Sequence, residues 1–245
     1  MYAQVMFGDH TYLSGITQSL SEHFKWVAAQ ADTRLTTTER PRAVLDIGSN
    51  DGTQLKHFRD LGYDVLGVES SKTTARIAVE AGIQTVNTFF NEQSAAEIGR
   101  TFDVINAAGV FFHLEELHSV TEAIRKSLKR DGVFVVQFLY MKRIMEICAF
   151  DQIYHEHLLY YTLQTIQEVL GRHGLELFDA TLRPIHGGSI VAFVAHQGAR
   201  QPSAELQSLR AAEAASGCNE IAAYQALARR IEQLKDVTSV QRELR

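Results

Sequence analysis

This sequence predicts an α/β fold built on a doubly wound, mainly parallel sheet with an antiparallel last strand. Through residues 43–138, short apolar runs alternate with amphipathic stretches, the pattern of strands joined by crossover helices. Two later apolar runs are separated only by RPIHGGS, and so close a spacing favours an antiparallel pair.

Taken in order, the parallel strands are expected at 43–47, 64–69, 84–87, 103–107 and 132–138. Helices fill the gaps at 53–61, 72–81, 92–98 and 114–128, each with apolar residues recurring at helical spacing. A further helix over 163–173 stops at Gly174, a good C-terminal signal. The antiparallel pair then occupies 175–181 and 189–196. An N-terminal helical or lid segment is expected over residues 1–40 and the sheet domain over 41–198. A helical tail rich in Ala, Leu and Glu follows over 199–245.

Composition narrows the function. The 245 residues carry a net charge of −5 and are 45% hydrophobic, ordinary for a globular protein with one sizeable core. KSLKR at 126–130 reads as the solvated end of a helix rather than a phosphate-tracking stripe, so a nucleic-acid polymer is not an expected partner. No basic segment leads into an apolar signal core and no apolar run is long enough for a bilayer, so no membrane is expected and the cytoplasm is the simplest compartment. With only Cys148 and Cys218, neither a disulfide framework nor a multi-cysteine zinc site can be built.

The loop VLDIGSNDGTQL at 44–55 carries the first chemistry. Asp46 ends an apolar strand, Gly48 and Gly52 permit a tight turn around Ser49 and Asn50, and Thr53 can start a helix whose free N–H groups face a ligand. The spacing is not that of the dinucleotide fingerprint. It resembles the E/D-x-G-x-G-x-G loop of the class I methyltransferase fold, which holds S-adenosyl-L-methionine, with Asn50 in place of the middle glycine. An acid here suits the cofactor's ammonium better than a pyrophosphate. Glu69 closes the next strand in GVES, where Rossmann-like folds place a carboxylate on the ribose hydroxyls. Residues 106–110, Ala108 among them, should lie beside the adenosine, and Phe89 or Phe90 could cover the adenine or belong to the core.

A second cluster follows in DQIYHEHLLYYTL at 151–163, where two histidines flank a carboxylate. Histidine titrates near neutrality and suits proton abstraction from a substrate. Five blocks, FGDHTYLSGITQSLSEHF (7–24), the cofactor loop with GVES, VFFHLEEL (110–117), this segment and HGGS (186–189), together resemble the S-adenosylmethionine-dependent sugar C-methyltransferases. That family methylates carbon 3 of nucleotide-linked 4-keto-deoxyhexoses. The resemblance implies His157 as the base that makes the carbon nucleophilic. Tyr154, His155, Glu156 and His113 would orient it or hydrogen-bond the sugar and its enolate oxygen. Tyr12, His186 and Ser189 would contact the substrate.

There are departures from that pattern. An Asn pair usual in the family is here Ala108 and Gly109, and an Arg common after HGGS is absent from IVAF. The family's cysteine-rich zinc domain and second α/β lobe are not expected within this chain, whose tail reads as the start of an incomplete lobe. A nucleotide sugar or other small molecule is the expected partner, and the residues imply no particular oligomeric state. The alternative reaction is O- or N-methylation of a small natural product, the histidine then deprotonating a hydroxyl or amine. His-x-His beside a carboxylate can also bind a divalent ion, but methyl transfer needs none and no metal is assigned.

Overall fold

The computed structural model describes Leu13, Thr17 and residues 18–243, with the backbone alone from 236 onward. Its strands are β1 (Arg42–Ile47), β2 (Tyr63–Glu69), β3 (Thr85–Asn87), β4 (Phe102–Ala108), β5 (Leu128–Leu139), β6 (Leu175–Arg183) and β7 (Ser189–His196). They form one sheet in the order β3-β2-β1-β4-β5-β7-β6. All neighbours are parallel except β7, which runs antiparallel to both β5 and β6. The doubly wound sheet with its reversed last strand is the fold that the alternating pattern and the RPIHGGS spacing predict.

The described helices are α1 (Gln18–Arg34), α2 (Thr53–Asp60), α3 (Lys72–Glu80), α4 (Glu92–Ile98), α5 (Leu117–Ser127), α6 (Met141–Ile147), α7 (Leu163–Gly171), α8 (Ala204–Ser216) and α9 (Ile221–Glu243). Several start where a side chain satisfies an orphan N–H. Asn91 and Ser94 form a reciprocal capping box at α4, Thr162 and Thr165 form another at α7, and Ser203 accepts from Leu206 N–H at α8.

Successive residues of a strand face opposite sides, so the two core layers can be read off β5. Val133 and Val135 pack with Val27, Ala28 and Ala31 of α1 and Leu55 and Phe58 of α2, while Phe134, Val136 and Phe138 meet Phe111, Tyr161 and the α7 residues Leu163 and Ile166. An Arg34–Asp179 ion pair at 2.5 Å ties α1 to β6. On the other layer the buried Glu213 of α8 accepts from the Leu163 and Gln164 N–H groups that open α7, at 2.7 and 2.9 Å, and from the Tyr140 hydroxyl at 2.9 Å. A carboxylate at a helix N-terminus meets both the orphan donors and the positive end of the dipole. Leu206, Cys218 and Leu227 are buried, so α8 and the start of α9 pack on the sheet domain.

Three departures from the expected elements are larger than a residue or two at an end. The helix expected from 114 begins at Leu117, because Phe111–His113 form a separate 3₁₀ turn and Leu114 is extended. β5 starts at Leu128 rather than 132, pairing Leu128 with Phe102 across a register shift. The short helix α6 lies where no element was expected.

Candidate active site

The parallel strands end at one edge of the sheet, where a cleft of about 770 Å³ opens. Its first wall is backbone. Gly48 follows β1 at φ +70, and a side chain there would run into Val110 Cγ2 at 2.6 Å, so the β1 and β4 loops close together only over glycine. Asn50 takes the left-handed conformation, φ 51, that the family's glycine would supply; Asn is one of the few other residues to adopt it. Its N–H donates to Glu69 Oε2 at 2.8 Å, and Ser71 N–H donates to Oε1 at 2.8 Å. A carboxylate offers about four acceptor sites. Glu69 is thus fixed by two donors and still able to take two hydroxyl groups.

Gly48, Asn50, Glu69 and Ala108 line the cleft, as do Phe89 and Phe90. Asp46, Ser49 and Gly52 do not; they build the wall from behind. Asp46 is buried opposite Asn106 in the β1–β4 ladder and accepts from Asn106 Nδ2 at 2.6 Å. Burial, and then the charge of Glu69, push the Asp46 carboxyl up to about 7 against the opposing hydrogen bond.

The second wall is made by residues 148–161, an irregular stretch held by long-range backbone bonds. Cys148, at φ 54, ends α6, and a 3₁₀ turn at Phe150–Gln152 follows. Leu158 and Leu159 N–H both donate to Phe112 O, at 2.8 and 3.2 Å, and Met141 N–H donates to Tyr161 O at 2.9 Å. The stretch is thereby laid against the 3₁₀ turn after β4. This brings together two histidines far apart in sequence: His113 and His157 have ring centroids 5.2 Å apart.

His157 is 9% exposed, between Tyr154 at 4.1 Å and Phe112 at 4.6 Å from ring to ring. Its Nδ1 lies 2.8 Å from Gln152 O. A carbonyl only accepts, so Nδ1 carries the proton and the neutral ring keeps its lone pair on Nε2. Burial holds the His157 pKa below the usual 6.5, against the Gln152 carbonyl and the Glu156 charge, which raise it. His113 Nδ1 donates likewise to Glu156 O at 2.7 Å.

His113, Tyr154, Glu156, His157, His186 and Ser189 all line the cleft, whereas His155 is exposed and outside it. Tyr12 lies outside the described residues. His186 adopts φ 52 and keeps surface at the rim. The protein around its ring lowers its pKa, and protonation of His157 would lower it further. Ser189 is buried and donates to Ile185 O at 3.0 Å. Leu20 and Phe24 of α1, Gln137 of β5 and Gln152 also line the cleft and were not expected there. A signal for Gln137 was present: it is the polar interruption of VFVVQFL.

The lining carries Glu69, Glu115, Glu116 and Glu156 and, among the described residues, no Lys or Arg. An acidic cleft suits a sulfonium cofactor with an ammonium group and disfavours a pyrophosphate. Among the described residues no group of three His, Cys, Asp or Glu side chains is arranged for a metal ion.

A family model described as a methyltransferase domain matches residues 22–180, well over half of the chain. The chain belongs to the methyltransferase-domain family. Its cofactor is S-adenosylmethionine, which the acidic cleft and the twice-anchored Glu69 fit. A second model, described as a C-methyltransferase C-terminal domain, matches residues 184–242. The C-methyltransferase NovU of Streptomyces niveus is 29% identical over 194 residues, covering 78% of this chain and 46% of NovU. An uncharacterized methyltransferase of Alkaliphilus oremlandii is 32% identical over 97 residues, covering 38% of this chain and 44% of its own. The chain thus spans less than half the length of the curated relatives it matches. Among solved structures, magnesium protoporphyrin IX methyltransferase from Synechocystis PCC 6803 aligns at a TM-score of 0.56 and 15% identity, over 72% of this chain and 83% of that one. That likeness supports the fold alone. Among the described residues no helix is long and apolar enough to cross a membrane.

Proposed function

We propose that this methyltransferase transfers a methyl group to carbon 3 of a nucleotide-linked 4-keto-deoxyhexose, with His157 as the base. The observation that carries the reading is the hydrogen bond from His157 Nδ1 to Gln152 O, which makes Nε2 the acceptor of the neutral ring, in one cleft with the cofactor loop. A C–H carbon becomes nucleophilic only after loss of its proton, and an adjacent ketone makes that loss feasible by spreading the charge onto oxygen. His157 Nε2 takes this proton, and its depressed pKa keeps it ready to do so at neutral pH.

Tyr154 packs on the His157 ring and lines the same cleft, while burial and the Glu156 charge raise its pKa and keep it a donor. His113, pinned by Glu156 O, fixes the second wall. Glu69 would hold the ribose, the Gly48–Asn50 turn the amino-acid part, and Phe89 or Phe90 the adenine. Bound S-adenosylmethionine supplies an electrophilic methyl group whose sulfur departs with the bonding electrons. Leu20 and Phe24 of α1 help to exclude water from the cleft. With no Lys or Arg in the described lining, the sugar enters the cleft and its diphosphate stays outside.

The test is proton exchange without turnover. In deuterated water, with S-adenosylhomocysteine blocking methyl transfer, a nucleotide-linked 4-keto-6-deoxyhexose should lose its C3 proton to solvent at a rate set by the enzyme. Methylation of heteroatom substrates, with no exchange on any ketosugar of a panel, would contradict the reading.

A further inference from the structure

Gln137 and His23 form a buried polar pair that the chemistry above does not use. β5 is apolar on both faces through VFVVQFL, and Gln137, 4% exposed, is the exception. An amide in such a place is costly unless hydrogen-bonded. Gln137 continues the face of Val133 and Val135, which α1 covers, and there its Oε1 lies 2.6 Å from Nε2 of His23. His23 is itself 3% exposed and stacks on Trp26 with centroids 6.0 Å apart. Since the amide oxygen accepts, His23 Nε2 carries the proton. Its Nδ1, which has no partner among the described residues, is then a bare lone pair, the less costly kind of orphan. Burial lowers the His23 pKa and keeps this neutral form.

With Oε1 committed to His23, what Gln137 has left is its NH₂ group. No hydrogen bond among the described residues engages that group, and the side chain lines the cleft. Its place is central. Gln137 pairs with Ala108 of β4, on the cofactor side, and with Val191 of β7, two residues beyond Ser189 on the substrate side.

We infer that the Gln137 carboxamide donates to the substrate's carbonyl oxygen, with His23 as the positioning residue that turns the amide NH₂ toward it. The inference rests on the ketosugar reading. As His157 removes the proton from carbon, negative charge grows on that oxygen, and a preorganised neutral donor gains strength there without reorganising. Gln137 forms no covalent bond and moves no proton; it stabilises the enolate until the carbon takes the methyl group.

The experiment uses the full chain, a nucleotide-linked 4-keto-6-deoxyhexose and S-adenosylhomocysteine in deuterated water, with kcat and KM measured separately using S-adenosylmethionine. Gln137→Leu should slow exchange and kcat by about 10²-fold, the usual cost of one oxyanion donor, with KM changed only a few-fold and S-adenosylhomocysteine affinity intact. Gln137→Glu keeps the size and the acceptor for His23 but turns a carboxylate on the oxyanion. It should slow exchange at least as much, and it serves if the leucine variant does not fold. His23→Leu should lose part of the rate, and His23→Gln, whose amide can donate to Gln137 Oε1, should regain it. Wild-type exchange in Gln137→Leu or Gln137→Glu, or equal loss of rate and cofactor affinity, overturns the assignment alone. A His23→Gln variant no better than His23→Leu overturns the positioning role. A wild type that exchanges no ketosugar overturns the ketosugar reading and this inference with it.

Discussion

The two walls of the cleft are made by different means. On the β1–β4 side the backbone makes the site: a turn closed over Gly48, a left-handed Asn50, and Glu69 anchored by two main-chain N–H groups. On the other side, side chains make it: His157 and Tyr154 sit on an irregular stretch tied by bonds from Leu158 and Leu159 to Phe112 O, in the 3₁₀ turn that carries His113. A wall of strand ends and tight turns suits a cofactor whose shape does not change between enzymes. A wall of rings on an irregular segment can vary with the substrate while the sheet stays as it is. The contrast implies that the walls fail separately, one in binding and the other in rate.

The largest effect is expected at His157. His157→Gln should cost about 10² to 10⁴ in exchange and methylation, the range for general-base catalysis, and leave calorimetric affinity for S-adenosylhomocysteine unchanged. Because burial lowers the His157 pKa from its usual value, wild-type exchange should hold at neutral pH and fall only as pH drops through that lowered value, when the ring protonates. That acid limb should vanish from the residual rate of the variant. A drop in cofactor affinity equal to the drop in rate would break the division between the walls.

A smaller and opposite pattern is expected for Glu69→Ala. Loss of a charged hydrogen-bonding partner typically costs roughly 1.5–3 kcal/mol, one to two decades in affinity. Since Asn50 and Ser71 N–H also lose their acceptor, the variant should melt at a lower temperature as well. At saturating cofactor its exchange rate should match the wild type. Unchanged affinity would remove Glu69 from the cofactor wall.

The effect expected at Asp46 falls on stability rather than on rate or cofactor affinity. The folded carboxyl titrates at about 7 and its ordinary value is 3.8, so folding holds a proton that the unfolded chain releases between those values. Stability contributed by this group is therefore greatest at low pH and declines as pH rises from about 4 to 7. Asp46→Asn should remove that slope, since Asn106 Oδ1, which has no partner among the described residues, can accept from the new amide. Parallel stability curves for wild type and variant between pH 4 and 7 would contradict the buried pairing.

The walls also differ in how far sequence alone reveals them. The turn from Asp46 to Gly52 is local, its conformations are ones that glycine and asparagine signal, and Glu69 follows at the end of the next strand, so the cofactor wall is legible from short-range pattern. The HEH cluster is legible as residue types, but not which of its members enters the cleft. His157 is buried and His155 exposed because Leu158 and Leu159 dock on Phe112 O, a contact across more than forty residues that leaves no local trace. The same docking accounts for the late start of α5, since Phe111–His113 turn to meet it. α6 has only seven residues, too few for a helical period to emerge. The pairing of Gln137 with His23 joins β5 to α1, and the sequence hinted at one partner only, as a polar residue where an apolar one was due.

The central claim is that the nucleophile is a carbon beside a ketone. It is tested most directly by turnover of a nucleotide-linked 4-keto-6-deoxyhexose with S-adenosylmethionine carrying a ¹³C-methyl group, followed by two-dimensional NMR of the product. The account predicts a labelled methyl bonded to carbon 3, with long-range coupling to the carbonyl carbon. A labelled methyl attached to oxygen or nitrogen would contradict it.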